Sequence, residues 1–389
     1  MTPKNLLILG STGSIGRSTL EVVDNNPGCF VIRGLAAYGN VDLLVEQYHK
    51  YKPEYVCLID ESKAEQLKDS LKNEPVKIVF GEKDMVSMTT LYSVDTVVNA
   101  IVGSAGLLAS LETVKQGRTL AIANKESLVC GGPLFPSIIS QTKAKILPID
   151  SEHSAIWQAL SSGKEKELKN IILTASGGPF RDLPKEQFEN ITKEQALNHP
   201  TWKMGPKISI DSATLANKGL EIMEAVVLFS QPAEKIKVVI HPQSIVHSMV
   251  EFIDSSVIAQ LSMPDMKLPI SYALFWPERV ESGYGAIDFD DLSTLTFEKP
   301  DLDKFKALKL AFDVAKTGGT APTIFNAANE EAVSNFLKEN IRFVDIPNII
   351  EACLEKIKVD SEPTLEDILN TDSETRKYVT ELTGKIICS

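Results

Sequence analysis

The sequence places two carboxylates two residues apart, Asp150 and Glu152, directly after an apolar run at residues 146–149. If the chain stays extended there, residues two apart project to one face and both carboxylates converge. Carboxylates without thiol partners suit a hard divalent cation such as Mg²⁺ or Mn²⁺. Taken alone, Asp-x-Glu is more simply an acidic turn facing solvent. A second concentration of chemistry runs over residues 209–221, with Ser209, Asp211, Ser212, Thr214, Asn217 and Lys218 followed by Glu221. Hydroxyl, amide and ammonium donors beside a carboxylate can hold a phosphate and add a metal ligand. The same residues also suit a polar loop with a helix cap. Ser176-Gly177-Gly178 follows an apolar run at 171–174 and is a further candidate anion loop. Lys125, in Asn124-Lys125-Glu126-Ser127, is either a local cation at a strand end or a solvated surface lysine.

Gly10-Ser11-Thr12-Gly13-Ser14-Ile15-Gly16 lies between the first apolar run and the first helical pattern. That context is what a nucleotide-phosphate loop requires. Helix N-terminal N–H groups there face a pyrophosphate without needing a lysine, so even an acidic chain can hold a phosphorylated cofactor. The spacing is GxxGxxG rather than the usual GxGxxG. The second strand candidate ends in Ala37-Tyr38-Gly39-Asn40. An NAD enzyme usually carries Asp or Glu here for the ribose 2′-hydroxyl. Its absence favours NADP, yet no lysine or arginine stands nearby in sequence to hold the 2′-phosphate. His199 and Trp202 fall in a polar stretch, 198–205, with little periodicity. A tryptophan there wants an apolar partner, as a lid closing on a ligand would supply. His241 and His247 read as structural. His153 follows the acidic pair and stays open between the two roles.

These groups need a scaffold. Strand candidates at 5–9, 30–37, 55–59, 96–102, 119–123 and 145–149 alternate with polar, helix-forming segments. That alternation predicts a doubly wound parallel sheet, Rossmann-like, in the N-terminal part. Beyond Asp150 the texture changes. Strands at 171–174, 238–240, 249–252 and 257–261 predict a second sheet, and apolar residues at helical spacing predict a helix at 219–229. From about residue 302 the pattern is helical, with candidates at 307–315, 327–337 and 346–357. The expected division is a cofactor domain at 1–149, a central α/β catalytic domain at 150–285, a linker at 286–305 and a C-terminal helical domain at 306–389.

Composition narrows the function. With 389 residues the chain is long enough for two to three domains. Its 40 basic and 52 acidic residues give a net charge of −12. That argues against a nucleic-acid binder or a polybasic membrane binder. No stretch approaches the ~20 apolar residues of a membrane span. The first residues lack the apolar region and cleavage site of a signal peptide, so a cytoplasmic protein is expected. The five cysteines, Cys29, Cys57, Cys130, Cys353 and Cys388, are scattered without a CxxC pair. Free thiols in a reducing compartment are expected, not a thiolate metal site.

Taken together, these segments resemble the 1-deoxy-D-xylulose 5-phosphate reductoisomerase family along essentially the whole chain. The landmarks are LGSTGSIG at 9–16, ANKESLV at 123–129, PIDSEHSAI at 148–156, SGGPFR at 176–181, HPTWKMGPKISIDSATLANKGLE at 199–221, HPQSIVHSMV at 241–250 and NAANEE at 326–331. The resemblance implies an NADP-dependent oxidoreductase of non-mevalonate isoprenoid biosynthesis. Such an enzyme rearranges a ketose phosphate and reduces the product with NADPH, using a divalent cation (Mn²⁺, Mg²⁺ or Co²⁺). It implies Asp150, Glu152 and Glu221 as metal ligands. It implies Lys125, Ser151, Glu152, Ser176, His199, Trp202, Ser212, Asn217, Lys218 and Glu221 as substrate contacts. Ser176, Ser212, Asn217 and Lys218 would hold the phosphate. Thr12, Gly13, Ser14 and Ile15 would cradle the pyrophosphate, with Asn40, Asn124, Glu126 and Gly205 as further cofactor contacts. Residues 199–205 would form a flap carrying Trp202. Lys125, Asp150, Glu152 and Glu221 would carry the chemistry, Glu152 also as a proton acceptor. A homodimer is implied. The chain departs from the family pattern at Tyr38-Gly39-Asn40, where many members carry Gly-Lys/Arg-Asn. The competing readings are a reductase or isomerase of another sugar phosphate, and a non-catalytic NADPH-sensing module.

Overall fold

The computed structural model describes residues 2–387 except Lys203 and Ser282, with Ile387 by its backbone alone. Cys388, and Lys203 of the expected flap, therefore lie outside the described residues. The chain forms two compact units. The first comprises Met1–Ser127, Phe135–Ser154 and Asp265–Tyr284, and the second Leu128–Leu134, Ala155–Pro264 and Gly285–Ser389.

The first unit is built on seven strands: β1 Lys4–Leu9, β2 Phe30–Ala37, β3 Tyr55–Leu58, β4 Lys77–Phe80, β5 Thr96–Asn99, β6 Thr119–Ile122 and β7 Lys145–Pro148. Their order is β4-β3-β2-β1-β5-β6-β7 and every neighbouring pair is parallel. The expected doubly wound sheet is present. Leu6, Leu7, Ile8 and Leu9 are all fully buried, as continuous apolar runs must be when helices cover both faces. The order reverses at β1, whose neighbours are β2 and β5. Open parallel sheets bind ligands at the carboxyl ends of strands flanking such a switch. The edge strand β4 escaped the sequence reading because its apolar run is short and follows a charged segment. Thr96–Asn99 is also shorter than expected, because the chain leaves the sheet before Gly103, which takes a positive φ.

The second unit holds a mixed sheet of β8 Leu168–Ala175, β9 Ile236–Ile240, β10 Val246–Phe252 and β11 Val257–Leu261, in the order β11-β10-β8-β9. β8 and β9 are parallel, whereas β10 runs antiparallel to both β8 and β11. Helices Pro206–Thr214 and Ala216–Phe229 belong to this unit, as do Lys306–Thr317, Ala321–Leu337, Asp345–Lys356 and Leu365–Ile387. The helical C-terminal region is as expected. Its last helix is tied to Ala321–Leu337 by Arg376, which pairs with Glu330 at 2.7 Å and Glu331 at 3.0 Å. One apolar core joins sheet and helices. In it Phe343 packs edge-on against Phe180, Phe188 and Phe336, with centroids 5.2–5.8 Å apart. Edge-to-face rings contribute about 0.5–1.5 kcal/mol each beyond the area they bury.

Candidate active site

In the first unit the chemistry gathers at the carboxyl ends of β1, β6 and β7. The glycine loop leaves β1 at Gly10. Its φ is +84°, and a Cβ there would lie 2.5 Å from the Ala100 carbonyl oxygen, so only glycine fits. The amides of Gly10 and Ser11 both donate to the Ala36 carbonyl at 2.9 Å. Ser11 Oγ donates to Gln47 Oε1 at 2.8 Å, and Gln47 Nε2 returns a bond to the Ser11 carbonyl at 2.9 Å. These bonds hold the loop from within, and helix Ser14–Asp24 opens behind it with Gly13 as its extended N-cap. Thr12 and Ile15 are half-buried, and Gly13 and Ser14 are exposed at that helix start. Asn40, beside it at the end of β2, caps helix Val41–Tyr51 by accepting from the Leu43 amide.

Lys125 and Asp150 come together. The Lys125 Nζ lies 2.7 Å from Asp150 Oδ2, and both side chains are largely buried. His153 is fully buried, with Nδ1 3.6 Å from the same oxygen. Burial opposes ionisation of Asp150. The Lys125 ammonium and His153 outweigh it and hold the carboxyl well below the usual carboxylate range. The expectation of an extended Asp150-Ser151-Glu152 is wrong. Strand β7 ends at Pro148 and helix Ser151–Leu160 begins at once. Asp150 stands at the helix start, where its Oδ1 accepts from the Ser151 amide at 3.1 Å and its carbonyl from the Ser154 amide at 2.8 Å. An acidic residue followed by Ser and Glu is a helix-start signal, and the helix dipole favours carboxylates there. Ser151 Oγ donates to Glu152 Oε2 at 2.6 Å. Asn124 is buried, and its Nδ2 donates to the Ile101 and Gly103 carbonyls and to Glu126 Oε2, at 2.7–3.0 Å. These bonds knit the segment after β6 to the segment after β5.

In the second unit Ser176, His199 and Ser212 are assembled around the end of β8. Ser176 Oγ lies 3.0 Å from His199 Nε2 and accepts from the Gly178 amide. His199 Nδ1 accepts from the amides of Thr201 at 3.1 Å and Trp202 at 2.9 Å. The ring proton is therefore on Nε2, which donates to Ser176. Burial disfavours the imidazolium and lowers the His199 pKa below the ordinary histidine value. Gly178 has φ +66°, and a Cβ there would lie 2.6 Å from the Ser212 carbonyl oxygen. The loop thus packs directly on the end of helix Pro206–Thr214.

Residues 209–221 are not a loop with a cap but two helices joined at Leu215, a non-glycine residue held in the left-handed region at φ 57°. On the second helix Asn217 Nδ2 donates to Glu221 Oε1 at 2.5 Å, and the Lys218 ammonium pairs with Glu221 Oε2. Lys218 and Glu221 are almost completely buried. Trp202 is half-buried with its ring 6.3 Å from that of His247, whereas Gly205 is exposed and has open space where a side chain would be.

Three features emerge only from the structure. Glu224, one turn beyond Glu221, is fully buried as well. Its spacing of three from Glu221 was the available signal. Asp211 is buried and held by Lys207 at 2.8 Å and by Asn329 Nδ2 at 2.8 Å. The NAANEE segment thus positions the helix that carries Ser212. Finally, Lys63 donates to the Gly39 carbonyl at 2.8 Å. The structural reading of His241 and His247 agrees with their bonds. His241 Nδ1 lies 2.8 Å from the Thr296 carbonyl oxygen, and His247 Nε2 lies 3.2 Å from that of Ser262. Cys57, Cys130 and Cys353 are buried, Cys29 is half-buried, and none of the four is in a disulfide.

A phosphate loop at the switch point of a parallel sheet, with a buried ammonium–carboxylate pair at the same edge, defines a dinucleotide-linked oxidoreductase. Comparison with known proteins gives the family. Models of the 1-deoxy-D-xylulose 5-phosphate reductoisomerase match residues 6–132, and models of its C-terminal domains match 146–229 and 261–378. The reductoisomerase of Chlorobaculum tepidum is 49% identical over 381 residues, 98% of this chain and 100% of that one. That of Caldanaerobacter subterraneus is 50% identical over 377 residues, 97% and 98% of the two chains. A crystal structure of DOX-P reductoisomerase in complex with NADPH, fosmidomycin and magnesium superposes with a TM-score of 0.94 at 41% identity, covering 98% of both chains. The Zymomonas mobilis enzyme in complex with NADPH gives 0.91 at 40% identity, covering 98% of this chain and 99% of that one. The chain belongs to the 1-deoxy-D-xylulose 5-phosphate reductoisomerase family. Among the described residues no helix is long and apolar enough to cross a membrane.

Proposed function

We propose that this chain converts 1-deoxy-D-xylulose 5-phosphate to 2-C-methyl-D-erythritol 4-phosphate, rearranging the carbon skeleton and then reducing it with NADPH in the presence of a divalent cation. The observation that carries this reading is the buried Lys125–Asp150 pair on the sheet edge that also bears the glycine loop. Family membership supplies the reaction. The acting form is a cytoplasmic homodimer.

The ligands proposed for the cation are Asp150, Glu152 and Glu221. The donor set fits a hard cation, because all three are carboxylates and no thiol joins them. Asp150 and Glu221 each already hold a lysine ammonium, so both positions are built to be compensated by positive charge. When bound, the cation supplies Lewis-acid polarisation of substrate oxygens, and NADPH supplies the hydride.

The chain's own residues do the rest. Ser176, Ser212, Asn217 and Lys218 hold the substrate phosphate, far from the reacting carbons. Binding energy gained there drives closure of residues 199–205. His199 fixes the base of that flap through its bonds to Thr201 and Trp202, and Trp202 covers the substrate and excludes water. Lys125 stabilises oxyanion charge as it develops. Ser151 contacts the substrate and orients Glu152, which accepts a proton. Thr12, Gly13, Ser14 and Ile15 hold the pyrophosphate, while Asn40, Asn124, Glu126 and Gly205 complete the cofactor contacts.

The test is NADPH absorbance on adding 1-deoxy-D-xylulose 5-phosphate, with Mn²⁺ or Mg²⁺ and then with chelator. Metal-dependent loss of absorbance is expected. NADPH binding without any oxidation would leave a sensor, and oxidation only with a different sugar phosphate would change the substrate.

A further inference from the structure

The end of β2 reads Tyr38-Gly39-Asn40, without the basic residue that many family members carry there. The fold returns a cation to the same spot from elsewhere. Lys63 lies in the 3₁₀ turn Glu61–Lys63 that follows β3, the strand next to β2. Its ammonium donates to the Gly39 carbonyl at 2.8 Å. A Cβ built on Gly39 would lie 3.4 Å from Lys63 Nζ and 3.2 Å from Asp60 Oδ2. The ammonium therefore stands at ordinary contact distance from where a side chain at 39 would begin, beside the Asp60 carboxylate. The lysine thus brings a cation beside Gly39 from the neighbouring strand end.

This ammonium faces a ligand-sized space. A pocket of about 680 Å³ is lined by Thr12 and Gly13 of the phosphate loop, by Gly39 and Asn40, and by Lys63. Lys63 is the single cation among the described residues lining it. Two acids, Asp42 and Asp60, also reach the pocket. Asp60 is engaged locally, since its Oδ1 accepts from the Ser62 amide and hydroxyl and its Oδ2 lies 3.9 Å from Lys63. The lysine side chain is 46% exposed, so an arriving anion reaches it without rearrangement of the core.

We propose that Lys63 is the residue through which this chain recognises the 2′-phosphate of NADPH, from its place beside Gly39. The proposal rests on the NADPH-dependent reading above. It follows from geometry, because the ribose of a dinucleotide lies at the end of the second strand of such a sheet when its pyrophosphate sits on the first loop. A lysine there pairs with phosphate as a point charge.

The experiment is calorimetric binding of the full chain to adenosine 2′,5′-bisphosphate, AMP, NADPH and NADH, for the wild type, Lys63→Met and Lys63→Arg. Loss of a charge-assisted bond should weaken adenosine 2′,5′-bisphosphate and NADPH by about tenfold or more in Lys63→Met. AMP and NADH should be unaffected, and Lys63→Arg should retain most of the preference. Adding Gly39→Lys to Lys63→Met should restore affinity for the 2′-phosphate. Wild-type binding of NADPH with an unchanged NADPH-to-NADH ratio in Lys63→Met overturns the Lys63 assignment alone. Failure of the wild type to bind either dinucleotide overturns the cofactor reading and the Lys63 assignment with it.

Discussion

His199 Nδ1 accepts two consecutive backbone hydrogen bonds, from Thr201 and from Trp202, while its Nε2 reaches Ser176 Oγ. One imidazole therefore joins the flap to the anion loop, and only its neutral form can do both. Burial lowers its pKa, so the neutral form is favoured in the folded chain. A histidine with a depressed folded pKa contributes fully above its unfolded value and loses that contribution as pH falls through the folded one. Substrate KM should therefore rise on the acid side of neutrality. His199→Asn, whose Oδ1 can accept the same amides, should lack that acid limb. An unaltered limb in the variant would assign it to another group.

Trp202→Ala should lower kcat/KM for the sugar phosphate by about tenfold or more while leaving NADPH affinity intact, as loss of a closing lid does. Stopped-flow binding and steady-state kinetics separate the two. Unchanged kinetics would remove the flap assignment.

Glu221→Gln should cut turnover by roughly a hundredfold or more, since even outer-shell changes at metal sites cost 10–100-fold. NADPH affinity should hold. The change also breaks the buried pair with the Lys218 ammonium, and breaking a buried pair costs about 3–5 kcal/mol. Thermal melting reads that stability loss separately from the rate. A folded Glu221→Gln that keeps its turnover would speak against the metal role.

Asn329→Leu removes the amide that donates to buried Asp211, at a cost of about 1–3 kcal/mol for the acceptor left short. Asn329 is outside the proposed ligand contacts and acts by positioning helix Pro206–Thr214. KM for the phosphorylated substrate should rise more than kcat falls, and Asn329→Gln should rescue less than the wild-type amide. A pure loss of Tm with unchanged KM would reduce its role to stability.

Gly178→Ala adds a Cβ 2.6 Å from the Ser212 carbonyl at a positive φ. Left-handed backbone costs a non-glycine residue about 1–2 kcal/mol before the clash is counted. Substrate affinity should fall while NADPH affinity stays. Inorganic phosphate competition in both proteins reads this directly.

Much of the scaffold was legible because local patterns carry it. Continuous apolar runs separated by helix-forming segments are what a sheet covered on both faces requires, and β1, β2 and β7 appear where those runs stand. The glycine loop was legible for the same reason, as a turn chemistry demanded by one tight backbone approach. The Asp150 region was misjudged because periodicity alone does not mark where a strand hands over to a helix. The end of β7 at Pro148 and the capping carboxylate decide that within two residues.

What the sequence determined by itself is therefore the list of reactive groups and the elements that bear them. What only the tertiary structure decided is which distant groups meet. Asp211 and Asn329 are 118 residues apart and share a buried hydrogen bond. Gly39 and Lys63 lie on neighbouring strand ends 24 residues apart, and together they supply a positive charge that the end of β2 lacks. Such pairings depend on strand order and on the packing of side chains across it, and neither quantity is written in the spacing of residues along one segment.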